Sequence, residues 1–314
     1  MKSREITVGT RSSLLALTQA HKFLVELQAI SKTDYSELLH SKTQLILTEG
    51  DLKQGTQDAG KLTKKAWIRE IEDALVDGRI DVAIHSGKDI PADIHEDTKL
   101  LPILRREYPF DIFIGKIDEN GNRKKFSSLD ADALIGTASL RRRLFSQRIN
   151  PNFKIVEHRG NVPTRLTKLD ESESLSGIIL AEASLKRLGF NIEYETLENY
   201  LIPSASQGIL VAQYRSNDVD TESLVKRVVF EDVLKAFTME RHISSSLQAD
   251  CNSCIGIYCS NEGQNLNLTV HAINPKTLDE IKIDRSYSEG SSIRAFSDEV
   301  LSELYSLEIE KFIH

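Results

Sequence analysis

The stretch that decides the fold is Lys65-Ala-Trp-Ile-Arg-Glu-Ile-Glu-Asp-Ala-Leu-Val-Asp-Gly-Arg-Ile-Asp-Val-Ala-Ile84. Its first part, residues 65–77, spaces apolar side chains as one face of a helix does, and Gly78 ends it. Its last part, residues 80–84, is a short apolar run that is typical of a strand buried in a sheet. A helix that leads directly into a buried strand indicates an α/β fold.

The same pairing of strand and helix recurs on both sides of this stretch. Before it, residues 5–9 alternate like a strand and precede a Ser-capped helix over residues 11–27, and residues 43–47 form a strand that leads into a loop at 48–51. After it come further strands, each followed by a helix, at residues 133–136, 153–157 and 177–181. This alternation predicts mostly parallel sheets in doubly wound lobes, with ligand sites at the carboxyl ends of the strands. Two such series predict two lobes that face a cleft.

The pattern changes from about Glu231 onwards. A helix is followed by short alternating strands at residues 264–272 and 280–287. This order predicts a separate, smaller α+β unit at the C-terminal end.

Composition excludes several classes of function. Lys and Arg total 40 against 47 Asp and Glu, which gives a net charge of -7, and no basic stripe interleaved with aromatic residues is present. Nucleic acid is therefore not an expected partner, and no glycine-rich phosphate loop supports a nucleotide. The sequence has neither a secretory signal nor an apolar run long enough to span a bilayer. Its three cysteines, an odd number, favour a reducing compartment over a set of paired disulfides. We expect a cytoplasmic protein without a membrane partner. A monomer is a separate expectation that does not follow from composition.

Arginines recur in the loops and first helical turns that follow predicted strands. They are Arg11, Arg141, Arg142, Arg143, Arg159 and Arg165. Guanidinium groups bind carboxylates through two parallel hydrogen bonds, and helix N-termini add further donors. A cleft lined in this way would hold a small polycarboxylate. The alternative for residues 141–143 is a solvated helix face.

A second polar segment, residues 85–91, directly follows the strand at 80–84. Asp89 could place a carboxylate inside the cleft to exchange protons, and Lys88 could help to bind anions. The alternative is a polar loop with an internal ion pair.

All three cysteines fall within nine positions, at Cys251, Cys254 and Cys259. Together with His242 they could supply four ligands for zinc, although the spacing matches structural zinc sites poorly. Cys254 and Cys259 are expected to be buried, inert thiols. Cys251 precedes an apolar strand, where a thiolate could act as a nucleophile or as a covalent tether.

Six short motifs stand in a fixed order along most of the chain. They read Arg-x-Ser-x-Leu-Ala-x-x-Gln at 11–19, Thr-x-Gly-Asp at 48–51, His-Ser-x-Lys-Asp-x-Pro at 85–91, Gly-Thr-Ala-Ser-Leu-Arg-Arg at 136–142, Arg-Gly-Asn-Val-Pro-Thr-Arg-Leu-Thr-Lys-Leu at 159–169 and Gln-Gly at 207–208. In this order they resemble the porphobilinogen deaminase family, whose members are also called hydroxymethylbilane synthases.

The resemblance implies an architecture of three domains and a covalent cofactor. Two lobes like those of periplasmic binding proteins would comprise residues 1–104 with 209–226, and residues 110–203. Residues 230–314 would form the α+β domain, in which Cys251 holds a dipyrromethane through a thioether. Four units of the substrate porphobilinogen would add to it in turn, each losing ammonia. Hydrolysis would then release the linear tetrapyrrole 1-hydroxymethylbilane, a precursor in haem biosynthesis.

The resemblance also implies the roles of individual residues, and it implies no metal. Asp89 matches the catalytic aspartate, whose carboxylate would stabilise the cationic azafulvene that forms as ammonia leaves. The residues that would hold the cofactor are Cys251, Lys88, Ser139, Arg141, Arg142, Ser13 and Lys64. Those that would bind carboxylates of the substrate are Arg11, Arg159, Arg165 and Arg187.

The chain departs from the family pattern at several positions. Asp250 stands before Cys251 where Gly is usual, and a carboxylate there should slow attack by the thiolate. The other departures are Ala249 for Gly, Cys254 for Pro, Tyr108 for an acid, Phe110 for a basic residue, Lys65 for Gly, Trp67 for Phe, Ser184 for Gly and Ser206 for Gly. The alternative function is that of a catalytically impaired, two-lobed carboxylate-binding protein of the same fold.

Overall fold

The protein is described by a computed structural model covering residues 2–33, 37–53, 64–249, 253–262, 265–288, 290 and 292–313. The chain folds into two compact units. The first comprises Met1–Glu107 and Ile209–Phe237, and the second comprises Tyr108–Gly208 and Thr238–His314. The division into three domains at the boundaries given above stays a prediction.

The first unit is built on a mixed sheet. Its strands are β1 (Lys2–Thr10), β2 (Glu37–Leu45), β3 (Val82–Ser86), β4 (Thr98–Ile103) and β10 (Leu210–Arg215). Within the described residues they form a five-stranded sheet in the order β2-β1-β3-β10-β4. β1 pairs in parallel with β2 and β3, whereas β10 runs antiparallel to β3 and β4.

Helices cover this sheet and fill its core. They are α1 (Leu14–Thr33), α2 (Glu49–Lys53), α3 (Arg69–Val76) and α7 (Val219–Lys226). Phe23 and Leu27 of α1 pack with Val8 of β1 and Tyr214 of β10 in one buried cluster. The amide of Ala16 donates to the Ser13 hydroxyl at 3.3 Å, which is the serine cap that the sequence predicts.

The second unit repeats the same sheet pattern. Its strands are β5 (Asp111–Gly115), β6 (Leu134–Gly136), β7 (Lys154–Val156), β8 (Gly177–Ala181) and β9 (Glu195–Thr196). In the described part of the chain they follow the order β7-β6-β8-β5-β9, with β6 parallel to β7 and β8, and β5 antiparallel to β8 and β9. The helices that follow β6, β7 and β8 are α4 (Leu140–Ile149), α5 (Val162–Glu171) and α6 (Glu182–Arg187).

A smaller α+β portion completes the second unit. β11 (Ile255–Glu262), β12 (Asn265–Ile273) and β13 (Glu280–Tyr287) form an antiparallel sheet in that order. The helices here are α8 (Glu231–Ser246), α9 (Ile293–Ser306) and α10 (Glu310–Ile313), and the division between the units falls within α8. The predicted fold class is confirmed: two α/β sheets of doubly wound type and a smaller α+β portion.

Two local predictions need correction. The strand predicted at 43–47 is β2, which begins earlier and ends at Leu45. The predicted loop at 48–51 overlaps α2, because the Thr48 hydroxyl accepts from the Asp51 amide at 3.2 Å and the Asp51 carboxylate accepts from Thr48 Oγ1 at 2.8 Å. This reciprocal contact caps a helical turn.

The expectation of mostly parallel sheets holds for only half of each sheet. β10 and β5 are antiparallel to both of their neighbours. Among the helices in the described ranges, none has both the length and the apolar character that crossing a membrane requires.

Candidate active site

In the first unit, β1 and β3 bring predicted site residues to one edge of the sheet. The two strands pair in parallel, with Val8 opposite Val82, so their carboxyl ends lie side by side. Arg11 follows β1, and Lys88 and Asp89 follow β3 in a one-turn 3₁₀ helix. The edge therefore carries both a guanidinium and a carboxylate.

Asp89 is exposed at this edge, and its backbone is anchored. The 3₁₀ turn is fixed by the Gly87 amide, which donates to the Ile209 carbonyl at 2.9 Å. Within the described ranges the Asp89 carboxylate forms neither a hydrogen bond nor an ion pair. Its charge is therefore available to a ligand.

His85 is the residue before the last one of β3. Its side chain is buried, and burial lowers its pKa to about 4 although Gln213 and Asp89 act in the opposite direction. The imidazole is therefore neutral at pH 7. The neighbouring Ser86 hydroxyl accepts from Gln19 Nε2 at 2.9 Å, which ties the end of β3 to α1.

Arg11 is held by a carboxylate and by an aromatic ring. Its Nη2 donates to Asp51 Oδ1 at 2.6 Å, and its guanidinium carbon lies 4.2 Å from the ring centroid of Trp67. Burial raises the pKa of Asp51, but the hydrogen bonds from Arg11 and Thr48 outweigh burial and bring that pKa below its ordinary value. Asp51 therefore stays ionised beside Arg11.

In the second unit, Arg141 and Arg142 are buried around one carboxylate, that of Asp111. Arg141 Nη2 donates to Asp111 Oδ2 at 2.6 Å, and Arg142 Nη2 donates to Asp111 Oδ1 at 2.8 Å. Their other contacts reach backbone carbonyls, since Arg141 Nη1 donates to Ile202 and Arg142 Nη1 to Ile179. The solvated helix face proposed for residues 141–143 is thus wrong for these two arginines.

Asp111 is a site residue that the sequence reading missed. It is fully buried at the start of β5. Burial raises its pKa, but the charges of Arg141 and Arg142 outweigh that effect and hold the pKa well below the ordinary carboxyl value. Gln207 Nε2 donates to the same carboxylate at 2.9 Å. An acidic residue at the start of an apolar strand is visible in the sequence, but its partners Arg141 and Arg142 lie 30 and 31 positions further along the chain.

The charge of this cluster is not balanced. Two guanidinium groups share one carboxylate, so the cluster of Arg141, Arg142 and Asp111 keeps one net positive charge. Ser139 stands beside it as the N-cap of α4, where its hydroxyl accepts from the Arg142 amide. The cluster therefore favours an approaching carboxylate.

Arg143 of α4 is exposed, as the alternative of a solvated helix face predicts. The other predicted arginines of the second unit follow parallel strands. Arg159, after β7, is exposed and pairs with Glu157. Arg165 in α5 donates from Nε to the Gly160 carbonyl at 2.7 Å, and Arg187 at the end of α6 donates from Nη2 to the Gly208 carbonyl at 2.6 Å. These arginines therefore have fixed backbone contacts or a weak surface ion pair.

Two predicted cofactor residues lie wholly or partly outside the described part of the chain. Cys251 lies outside the described residues. Lys64 begins the 3₁₀ helix Lys64–Trp67, but its side chain lies outside the described part. The other two cysteines, Cys254 and Cys259, are buried free thiols, as the sequence predicts.

The zinc alternative finds no support in the described part of the chain. There, no three His, Cys, Asp or Glu residues are grouped so that they could hold a metal ion. His242, the fourth ligand considered, instead has its Nε2 2.6 Å from Asp298 Oδ1.

Tyr108 and Phe110 form an aromatic row with Tyr258 of β11. The ring centroids of Tyr108 and Phe110 are 5.2 Å apart, and those of Phe110 and Tyr258 are 5.0 Å apart. The Tyr108 hydroxyl donates to Glu198. Burial, together with this carboxylate, raises the pKa of Tyr108 to about 12. Aromatic contacts therefore stand where the family pattern has an acid and a base.

Ser206 has a φ of 60°, in the left-handed region where Gly is usual. The buried Glu240 carboxylate accepts from the Ser206 amide at 2.5 Å and from the Cys259 amide at 2.7 Å. These two hydrogen bonds tie the turn before β10 to α8 and β11.

Comparison with known proteins gives one family. Among solved structures, the chain is similar to the probable amino-acid ABC transporter extracellular-binding protein ytmK from Bacillus subtilis. The two share 12% sequence identity and a TM-score of 0.41, and the match covers 76% of this chain and 97% of that one. Residues 6–223 match the family model described as "Porphobilinogen deaminase, dipyromethane cofactor binding domain".

Two curated relatives carry the same family name. The porphobilinogen deaminase of Staphylococcus saprophyticus is 36% identical over 82% of both chains. That of an Exiguobacterium species is 30% identical over 95% of both chains. The chain belongs to the porphobilinogen deaminase family.

Proposed function

We propose that this protein is a transferase that joins four porphobilinogen units, releasing ammonia and the linear tetrapyrrole 1-hydroxymethylbilane. Membership of the family sets the reaction class. The observation that carries the proposal is the position of Asp89, an exposed carboxylate at the carboxyl end of β3 in the same unit as Arg11. The active site of an α/β protein is usually found at this end of the strands.

Asp89 supplies fixed negative charge where positive charge develops. When ammonia leaves porphobilinogen, the remaining pyrrole carries a positive charge, and a nearby carboxylate lowers the energy of that state. Asp89 suits this role because its carboxylate has no ion-pair partner among the described residues. The neighbouring His85 is neutral at pH 7, so it adds no positive charge that would compete for the carboxylate.

The arginines bind the acetate and propionate groups of the substrate. We assign this role to Arg11 in the first unit and to Arg159, Arg165 and Arg187 in the second. Guanidinium groups keep their charge at every physiological pH and match carboxylates in shape. Each condensation adds carboxylates to the bound chain, which explains why several arginines are required.

The cofactor is dipyrromethane, which we propose is attached through Cys251. Cys254 and Cys259 are 0% and 3% exposed, so neither thiol is accessible to a group of this size. When bound, dipyrromethane supplies the pyrrole to which the first substrate unit is joined. We assign its carboxylates to the residues that the family resemblance implies, which are Ser139, Arg141, Arg142, Lys88, Ser13 and Lys64. The net positive charge of the cluster around Asp111 supports this role for Arg141 and Arg142.

One assay tests the proposed reaction directly. Purified protein is incubated with porphobilinogen, and released hydroxymethylbilane and ammonia are measured. Release of one tetrapyrrole and four ammonia molecules for every four substrate molecules is the expected result. Tight binding of porphobilinogen without turnover would instead identify a carboxylate-binding protein and refute the proposal.

A further inference from the structure

Trp67 is the single tryptophan of the chain, and it contacts Arg11. The separation of 4.2 Å between the guanidinium carbon and the ring centroid lies well within the range of about 6 Å over which a cation is attracted to an aromatic face. Among aromatic side chains, the indole attracts a cation most strongly. An indole at this position therefore makes a stronger contact with Arg11 than a phenyl ring would.

The indole ring is fixed by its surroundings. A Cβ atom added to Gly50 would lie 2.2 Å from Cδ2 of the indole, so the backbone of α2 packs directly against the ring. The next residue, Ile68, is only 4% exposed and leads into α3. The indole of Trp67 is therefore packed against the backbone of α2.

Arg11 is held in one orientation by two different partners. Asp51 accepts from Nε at 3.2 Å and from Nη2 at 2.6 Å, and Thr48 in turn holds Asp51. Among the described residues, Nη1 has no hydrogen-bond acceptor. The ring and the carboxylate thus leave one edge of the guanidinium available to an incoming anion.

We propose that Trp67 is a positioning residue that holds Arg11 ready for a carboxylate of the substrate. The ring attracts the guanidinium without adding a second negative charge, so Arg11 keeps its attraction for an anion although Asp51 already binds one side. This inference rests on the proposed function.

The first test needs no substrate and uses the fluorescence of Trp67. Removing the cation with Arg11→Ala should shift the emission of the single tryptophan in the purified protein. The matched control is Arg105→Ala, which removes an arginine that stacks on Phe230 at 4.3 Å in the same unit. The control should leave the emission unchanged. Emission that is the same in wild type and Arg11→Ala overturns the inference.

The second test separates positioning from direct contact with substrate. Trp67→Leu should raise KM for porphobilinogen by roughly 2- to 30-fold with kcat little changed, the range expected for loss of a cation–π contact. Trp67→Phe should give a smaller increase and provides a second, more conservative variant. In an Arg11→Ala background, Trp67→Leu should have no further effect on kcat/KM. An equal effect in both backgrounds would mean that the ring acts on the substrate itself, which overturns the inference.

The two proposals fail in different ways. If wild type converts porphobilinogen but the fluorescence emission of Trp67 is the same in wild type and Arg11→Ala, only the role of Trp67 is wrong. If the emission shifts but wild type releases no hydroxymethylbilane, the proposed function is wrong and the positioning role is wrong with it. Far-UV circular dichroism of each variant confirms that the measured protein is folded.

Discussion

Replacing Asp111 with Asn should destabilise the second unit by about 3 kcal/mol, because it leaves two buried guanidinium charges without a counter-ion. Arg141 is 3% exposed and Arg142 is 7% exposed, so water can replace little of the lost interaction. Removing one partner of a buried ion pair typically costs about 3–5 kcal/mol. Asn keeps the volume and one acceptor oxygen of Asp, which places the expected value at the lower end of that range.

Amide hydrogen exchange measures this loss where it occurs. A loss of about 3 kcal/mol corresponds to roughly 100-fold faster exchange in β5 and β8, while β3 in the first unit serves as an internal reference. The matched control is Asp130→Asn, since Asp130 is exposed. Acceleration below tenfold in Asp111→Asn, or equal acceleration in the control, would refute the idea that Asp111 neutralises the two arginines.

Three further predictions concern the first unit and the cofactor. Asp89→Asn should lower kcat by roughly 100- to 1,000-fold while changing the free energy of unfolding by less than about 0.5 kcal/mol. The control is Asp93→Asn, which should change neither quantity because the Asp93 side chain is 81% exposed. Retained turnover in Asp89→Asn would mean that Asp89 is misassigned. Because unfolded His85 binds a proton near pH 6.5 and folded His85 only near pH 4, its contribution to stability is full above pH 6.5 and falls by up to about 3 kcal/mol towards pH 4. Urea unfolding over this range should show that loss in wild type and not in His85→Gln, and parallel curves would contradict it. Intact-protein mass spectrometry should find a covalent increment that Cys251→Ser removes and Cys254→Ser retains, and an increment that survives Cys251→Ser would place the tether elsewhere.

Local sequence patterns are enough to predict helices and strands whose ends are determined by neighbouring residues. The strand at 177–181 was predicted with its observed bounds because an unbroken apolar run is closed on one side by α6. Gly189 ends that helical segment with a φ of 71°, which suits Gly. Asn161 caps α5 as its position before the helix predicts.

Features that depend on distant partners were not predictable from local patterns. The direction of β10 is set by its pairing with β3, whose Ser86 stands 124 positions before Leu210 (210 − 86). Asp111 could be recognised as a counter-ion only once Arg141 and Arg142 were seen to fold over it. The contact between Arg11 and Trp67 likewise joins two segments that the sequence keeps far apart.

The aromatic row of Tyr108, Phe110 and Tyr258 changes how this part of the molecule responds to its solvent. An ion pair at this position would weaken as salt screens its charges, with a screening length of about 8 Å at physiological ionic strength. Contacts between rings are not screened, and anions such as sulfate strengthen the burial of apolar surface. The Tyr108 hydroxyl also stays protonated up to a pH of about 12, so its hydrogen bond to Glu198 survives in alkaline solution. The ring contact between Phe110, in the segment before β5, and Tyr258 of β11 therefore keeps its strength at salt concentrations at which a charged contact would weaken.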